Sequence, residues 1–240
     1  MKSINQNIKL SIIIPCYNEK FTIEKIIKKI FLTKLKLEII IVDDASNDGT
    51  REILKSKIAK KVKKIIYHKK NFGKGSAIKS AKKYVNGQII IIQDADLEYY
   101  PSDYKKLIQP IIKKETKVVY GSRVLGRQQK NYKSKYTSRV RILGNFILTF
   151  ISNIINKQSL TDAHTCYKVI HKSVFKKIKL IEKDFRFCPE ITSKISRIGE
   201  RIVEKPIKYN GRNTKEGKKI RLQDAFLAVH CLFKYGLFKK

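Results

Sequence analysis

Carboxylates are scarce in this 240-residue chain: 20 Asp and Glu stand against 54 Lys and Arg, a formal net charge of +34. Such an excess usually points to a polyanion or an anionic membrane as partner, because clustered Lys and Arg bind phosphates and release counterions. The preference for Lys over Arg, and for Ile among apolar residues, equally fits a genome biased towards A and T codons. Position must therefore decide. The most uneven stretch, Thr116 to Thr161, holds no acid but contains Lys117, Arg123, Arg127, Lys130, Lys133, Lys135, Arg139, Arg141 and Lys157. A patch of this kind attracts phosphate groups or anionic lipid.

Cysteine is also sparse. Cys16, Cys166, Cys188 and Cys231 lie far apart, which excludes the short spacings of zinc and dithiol sites and predicts reduced thiols. His68, His164, His171 and His230 lack metal-binding spacing and read as structural. No apolar run reaches the ~18 to 20 residues that span a bilayer. Met1 to Leu10 alternates polar and apolar residues and runs into a strand, which predicts no signal peptide and a cytoplasmic protein. Two shorter apolar segments, Ile142 to Ile155 and Ala225 to Phe238, are flanked by basic residues; they are either buried core helices or elements lying on a membrane surface. With no repeat, linker or break in composition, the chain reads as one catalytic domain over 1–222 and an apolar C-terminal helix over 223–240, a membrane-surface or packing element.

What is present is an alternation of strands and helices. Leu10–Ile14, Glu38–Val42, Lys64–Tyr67, Gln88–Ile92 and Lys117–Tyr120 are short, β-branched and bounded by turn formers, which predicts buried strands. Between the first two, Ile23, Ile26, Ile27, Ile30 and Phe31 share one helical face. Helices are also expected over Thr50–Ile58 and Ala77–Val85. Near-continuous apolar strands between amphipathic helices imply an α/β fold with a mostly parallel central sheet and helices on both faces. Ligands bind at the carboxyl ends of such strands, where Pro15, Tyr17, Asn18, Glu19, Asp43, Asp44, Asp94, Asp96 and Glu98 fall.

The segment Gln88 to Glu98, QIIIIQDADLE, delivers Asp94, Asp96 and Glu98 at alternate positions after a buried strand. Carboxylates so spaced suit Mg²⁺ or Mn²⁺, which take one or two protein carboxylates and fill their remaining positions with water and phosphate oxygens. Solvated loop acids are the plain alternative, which the position at a strand end and the overall scarcity of acids disfavour. Gly73, Lys74 and Gly75 lack a complete phosphate-loop pattern, and predict a tight turn that packs a helix on the sheet.

Taken in order, SIIIPCYNE, IIIVDDASNDGT, NFGKGSAI, QDADLEYYP and VVYGSR resemble a family-2 glycosyltransferase with the GT-A nucleotide-sugar-binding sandwich. LTDAHTCYKV, FCPEI and KPIKYNGRNTKEGKKI are similar to the polyprenyl-phosphate branch that dolichol-phosphate mannosyltransferase typifies. The resemblance implies a nucleotide pocket lined by Pro15, Tyr17 and Glu19, with Val42 and Asp44 bracketing the base and Asp44 accepting from a ring N–H. It implies that Asp94 and Ala95 contact the nucleotide sugar and that Asp96 and Glu98 ligate the metal. Arg123, Arg212 and Lys218 would hold donor or acceptor phosphate, a role that fits the way fixed cations stabilise developing diphosphate charge. That branch often carries acids where this chain has His164 and Cys188, which bears on the acceptor.

The activity expected is inverting transfer of a hexosyl group from a GDP- or UDP-sugar to a polyprenyl (dolichyl or undecaprenyl) phosphate, by an enzyme peripheral to the cytosolic membrane face. An ionised phosphate needs no strong general base, whereas a sugar hydroxyl does, and Asp162 and Glu190 are the candidates for one. A family-2 enzyme glycosylating a sugar or lipid hydroxyl in surface polysaccharide assembly is the alternative. A basic nucleic-acid-binding protein would leave the DAD-x-E pattern without purpose.

Overall fold

Isoleucine-rich runs become strands here because β-branched side chains pack well on a pleated surface and both sides of that surface are covered. The computed structural model describes residues 8–129, 134–135, 139–212 and 223–237. Its strands are β1 (Leu10–Cys16), β2 (Leu37–Asp43), β3 (Lys64–Tyr67), β4 (Ile89–Ile92), β5 (Val118–Ser122), β6 (Ser134–Lys135), β7 (Lys168–His171), β8 (Ile202–Pro206) and β9 (Tyr209–Asn210). Its α-helices are α1 (Ile23–Phe31), α2 (Thr50–Ile53), α3 (Lys74–Ala81), α4 (Tyr104–Ile112), α5 (Arg123–Gln128), α6 (Arg139–Asn156), α7 (Lys172–Lys177), α8 (Phe187–Arg197) and α9 (Gln223–Gly236).

Seven strands form the main sheet in the order β3-β2-β1-β4-β7-β5-β8, and β6 pairs with β9 beside it. β1 runs parallel to β2 on one side and to β4 on the other. The chain winds outward through β2 and β3 and then returns to the far side of β1, so the carboxyl ends of β1 and β4 border a topological switch point, where sheets of this class bind ligands. Every residue of β4 is buried, as are Glu38 to Asp43 of β2. Neighbouring residues of a strand point to opposite faces, so both faces are covered. Each such isoleucine contributes ~1.5–3 kcal/mol by leaving water.

The exception to the parallel pattern is β7, antiparallel to both β4 and β5. It was not evident in sequence because it is short and opens on a lysine. Lys168 is nonetheless fully buried. Its ammonium donates to the carbonyls of Ala163 (3.0 Å) and Thr165 (2.7 Å) and lies 4.1 Å from the centre of the Tyr120 ring. These contacts satisfy a charge that would otherwise be costly to bury, and they fold the 163–168 loop back towards β7.

Two expected helices differ in detail. The helix beginning at Thr50 opens after Ile53 into a wider π-helical turn over Leu54–Ile58. The helix expected over Ala77–Val85 starts earlier, at Lys74, and tightens into a 3₁₀ turn over Lys82–Tyr84. Gly73 precedes it with φ +91°, and a Cβ there would stand 2.6 Å from the Lys183 carbonyl oxygen. The expected tight, packed turn is therefore present.

Neither of the two apolar segments is a buried core helix. α6 packs against α8 and α9, yet it buries Thr149, Ser152 and Asn156 while exposing Leu143, Phe146, Ile147, Phe150 and Ile154. Its polarity is inverted relative to an ordinary surface helix. α9 buries Ala228, Cys231, Leu232 and Tyr235 and exposes Phe226, Leu227 and Phe233; Leu237, just beyond its end, is exposed as well. Among the described residues, no helix is long and apolar enough to cross a membrane.

Candidate active site

The loop after β1 is tied to the loop after β2. Asn18, with φ +53°, donates from its backbone to Ser46 Oγ (2.9 Å), and its side chain exchanges hydrogen bonds with Asn47. Glu19 N donates to Thr50 Oγ1 (2.8 Å). This lacing holds Pro15 and Tyr17, both partly exposed, beside a buried Glu19 carboxylate. Val42 is wholly buried and offers no side-chain surface to a ligand.

Asp44 accepts from His68 Nδ1 (2.6 Å), Phe72 N (2.9 Å) and Gly73 N (2.7 Å). Three of its roughly four acceptor positions thus clamp the 68–73 loop, and about one remains for a base. His68 completes the clamp through Nε2 to Ser80 Oγ (2.9 Å), a structural role.

β4 delivers the acids to the switch point. Asp94 forms an ion pair with Lys74, the first residue of α3. Burial opposes the Lys74 charge, but Asp94 outweighs it and holds the ammonium above its usual range. Ala95 is buried. Asp96 and Glu98 turn towards Arg212, whose Nη2 donates to Asp96 Oδ2 (3.1 Å) and Glu19 Oε1 (3.0 Å) and whose Nη1 donates to Glu19 Oε2 (3.2 Å). Arg212 Nε lies 3.8 Å from Glu98 Oε1, and the Arg212 backbone N donates to the same oxygen at 2.8 Å. Burial, with Asp94, Glu98 and Glu19 adding negative charge and Arg212 opposing, pushes Asp96 up to about 7.

A second cation stands nearby. Arg123, at the start of α5, donates through Nε and Nη2 to the two oxygens of Asp162, both at 2.7 Å. Burial alone would raise Asp162, but this fork holds it below the usual carboxylate range. The Arg123 guanidinium lies 5.2 Å from the centre of the Tyr209 ring, and Tyr209 Oη donates to Glu98 Oε2 (2.8 Å). Arg123 and the acid cluster are thereby linked. Lys218 lies outside the described residues. Glu190 accepts from Ile181 N (2.6 Å), Glu182 N (2.9 Å) and Lys194 Nζ (2.6 Å), so it pins the 181–182 segment. Burial first, then Lys168, lowers His164 to about 4, and its imidazole is neutral at physiological pH.

Sequence reasoning missed Lys74 and Tyr209. The GKG segment gave the turn, but no local signal aimed Lys74 at Asp94. Tyr209 follows β8 among mixed residues and shows its partners only in three dimensions.

Among the described residues no three His, Cys, Asp or Glu side chains converge in metal-ligating geometry. The donor set nevertheless fits a hard divalent cation: oxygen ligands from Asp96 and Glu98, and enough concentrated negative charge to raise Asp96 to about 7. Because the folded protein holds the Asp96 proton more tightly than the unfolded chain, ionisation costs stability, which declines as pH climbs from the usual carboxylate range through about 7. Asp96→Asn in chelator should therefore raise the midpoint of thermal unfolding at pH 8 by several degrees, with the gain shrinking towards pH 4. A lower midpoint for the variant at pH 8 would contradict this electrostatic assignment.

The family model described as Glycosyl transferase family 2 matches residues 11–179. A dolichol-phosphate mannosyltransferase from Pyrococcus furiosus is 30% identical over 88% of this chain and 59% of its own length. A UDP-N-acetylglucosamine–dolichyl-phosphate N-acetylglucosaminyltransferase from Methanococcus voltae is 31% identical over 82% of this chain and 84% of its own. Among solved structures, glucosyl-3-phosphoglycerate synthase from Mycobacterium tuberculosis, in complex with Mn²⁺, UDP-glucose and phosphoglyceric acid, superposes with a TM-score of 0.73 at 14% identity, covering 98% of this chain and 82% of that one. That likeness establishes the GT-A fold. With the family model covering most of the chain, and with the acid-bearing switch point in place, this protein belongs to glycosyl transferase family 2 and is a glycosyltransferase.

Proposed function

We propose that the protein transfers a hexosyl group, with inversion, from a GDP- or UDP-sugar to a polyprenyl phosphate at the cytosolic membrane face. The observation that carries this reading is the state of the two candidate general bases: Asp162 is held by the Arg123 fork, and Glu190 by two backbone N–H groups and Lys194. Neither is poised to take a proton from a sugar hydroxyl. A phosphate monoester is already ionised and needs only to be positioned. The relatives above, named for transfer to dolichyl phosphate, support the same acceptor class.

In this reading the pocket after β1 and β2 holds the nucleotide, with Pro15, Tyr17 and Glu19 on one wall and Asp44 fixing the 68–73 loop. Asp96 and Glu98 would hold a Mg²⁺ or Mn²⁺ ion, which would neutralise charge on the departing diphosphate. Arg212 exchanges its carboxylate partners for diphosphate oxygens, and Lys74 keeps Asp94 oriented towards the donor sugar. Asp162 orients Arg123 to receive the acceptor phosphate, its fork locking the guanidinium plane.

The inverted α6 supports the membrane part. Arg123 Nη2 reaches Asn145 Oδ1 on α6 (3.5 Å), and from there Phe146, Phe150 and Ile154 lead outward to an open groove shared with Gln158, Ser159 and Leu160. The acid-free, basic sequence around α6 suits an anionic bilayer. A lipid phosphate at Arg123 would then lay its chain along this helix.

The decisive assay offers radiolabelled nucleotide sugar with polyprenyl phosphate or free oligosaccharide, to wild type, Asp162→Asn and Glu190→Gln. Label should enter the lipid. Asp162→Asn should raise the acceptor KM about tenfold or more by loosening Arg123, and Glu190→Gln should retain turnover within a few-fold wherever it folds. Label entering only the oligosaccharide, and vanishing in one carboxylate variant, would establish the hydroxyl-acceptor alternative. For the membrane contact, replacing Phe146 and Phe150 together by Ser should cut binding to phosphatidylglycerol-containing vesicles by at least about tenfold, since burying one such side chain is worth ~1.5–3 kcal/mol. Unchanged partitioning in flotation would remove α6 from the interface.

A further inference from the structure

We propose that Tyr209 is a positioning residue that sets the spacing between the donor-metal carboxylate Glu98 and the acceptor cation Arg123, an inference that rests on the function proposed above. Tyr209 is 3% exposed and touches both halves of the site with different parts of one rigid side chain. Its hydroxyl donates to Glu98 Oε2 at 2.8 Å, and its ring lies under the Arg123 guanidinium, 5.2 Å from carbon to centroid. A phenol has no internal freedom between ring and hydroxyl, so fixing the ring fixes the separation of its two partners.

The ring is fixed by its surroundings. Tyr99, the residue after Glu98, meets it edge-on with centroids 5.1 Å apart, and the two tyrosines form an isolated antiparallel bridge. Asn210 N donates to the Glu98 carbonyl (2.9 Å) and Arg212 N to Glu98 Oε1 (2.8 Å), so the backbone on the far side of Tyr209 is fastened to the same glutamate. Glu98 therefore receives donors on both oxygens from one short segment, 209–212. In a metal site, partners of this kind orient the ligand, and their loss typically costs about 10- to 100-fold in metal affinity or activity. Tyr209 touches no reacting atom and acts through Glu98 and Arg123.

Tyr209→Phe isolates the hydroxyl: ring, edge contact and guanidinium contact persist, so folding is preserved, as a matching thermal midpoint checks. Tyr209→Leu removes the ring as well. Mn²⁺ binding to the full chain is measured by electron paramagnetic resonance, alone and with UDP or GDP, and the acceptor KM is measured with polyprenyl phosphate. Tyr209→Phe should weaken Mn²⁺ binding about tenfold and leave the acceptor KM unchanged, whereas Tyr209→Leu should weaken Mn²⁺ binding similarly and also raise the acceptor KM. Wild-type Mn²⁺ affinity in Tyr209→Phe would overturn the positioning role while leaving the proposed function intact. The same would follow if both variants shifted Mn²⁺ affinity and acceptor KM in equal proportion, the mark of a merely structural residue. A wild-type protein that binds no Mn²⁺ even with either nucleotide would overturn the metal reading and this inference with it.

Discussion

Glu19, Asp96 and Glu98 reach one guanidinium, that of Arg212, from two separate loops. Carboxylates held this close repel one another, and burial deepens the cost, as the rise of Asp96 to about 7 records. Much of the surrounding structure serves to keep them there. The Asn18–Asn47 exchange and the Thr50 contact hold Glu19; the turn at Leu97, with φ +65°, separates Asp96 from Glu98; and the 209–212 segment is fastened to Glu98. In the proposed function, a fold that concentrates charge in this way and partly neutralises it with Arg212 is prepared for a cation and a polyphosphate. Stability and function oppose each other at the same atoms, as they commonly do at active sites.

The same opposition recurs on α6. A helix that buries Thr149, Ser152 and Asn156 while exposing Phe146, Phe150 and Ile154 gives up apolar burial that a protein optimised only for stability would keep. The exposed stripe begins beside Asn145, which touches Arg123, so the apolar surface and the cation share an origin. In the proposed function that continuity would join the donor pocket to a lipid acceptor route; among the described residues no helix is long and apolar enough to cross a membrane.

The central sheet was legible in sequence because its strands are uninterrupted runs such as Ile39 to Val42 and Ile89 to Ile92, for which burial on both faces is the simplest outcome. The acids were legible for the same reason: they stand at the ends of those strands. What lay beyond reach depended on contacts between distant segments. β7 was hidden because Lys168 looks exposed until the carbonyls of Ala163 and Thr165 are seen to receive it. Lys74 could be placed on its turn but not aimed, and Asp44 could be placed at the end of β2 without revealing that it clamps the 68–73 loop. The two apolar helices could be located but not oriented, since a stripe of hydrophobic residues does not state which face meets the core.

In the proposed function Arg212 is a counterion that a metal and a diphosphate replace. The most direct measurement is an anomalous-difference map from crystals grown with Mn²⁺ and UDP or GDP. The expected result is a peak bound by Asp96 and Glu98, with Arg212 withdrawn from Asp96 and directed at the diphosphate. A nucleotide bound with Arg212 still on Asp96 and Glu19, and no Mn²⁺ at those carboxylates, would contradict it.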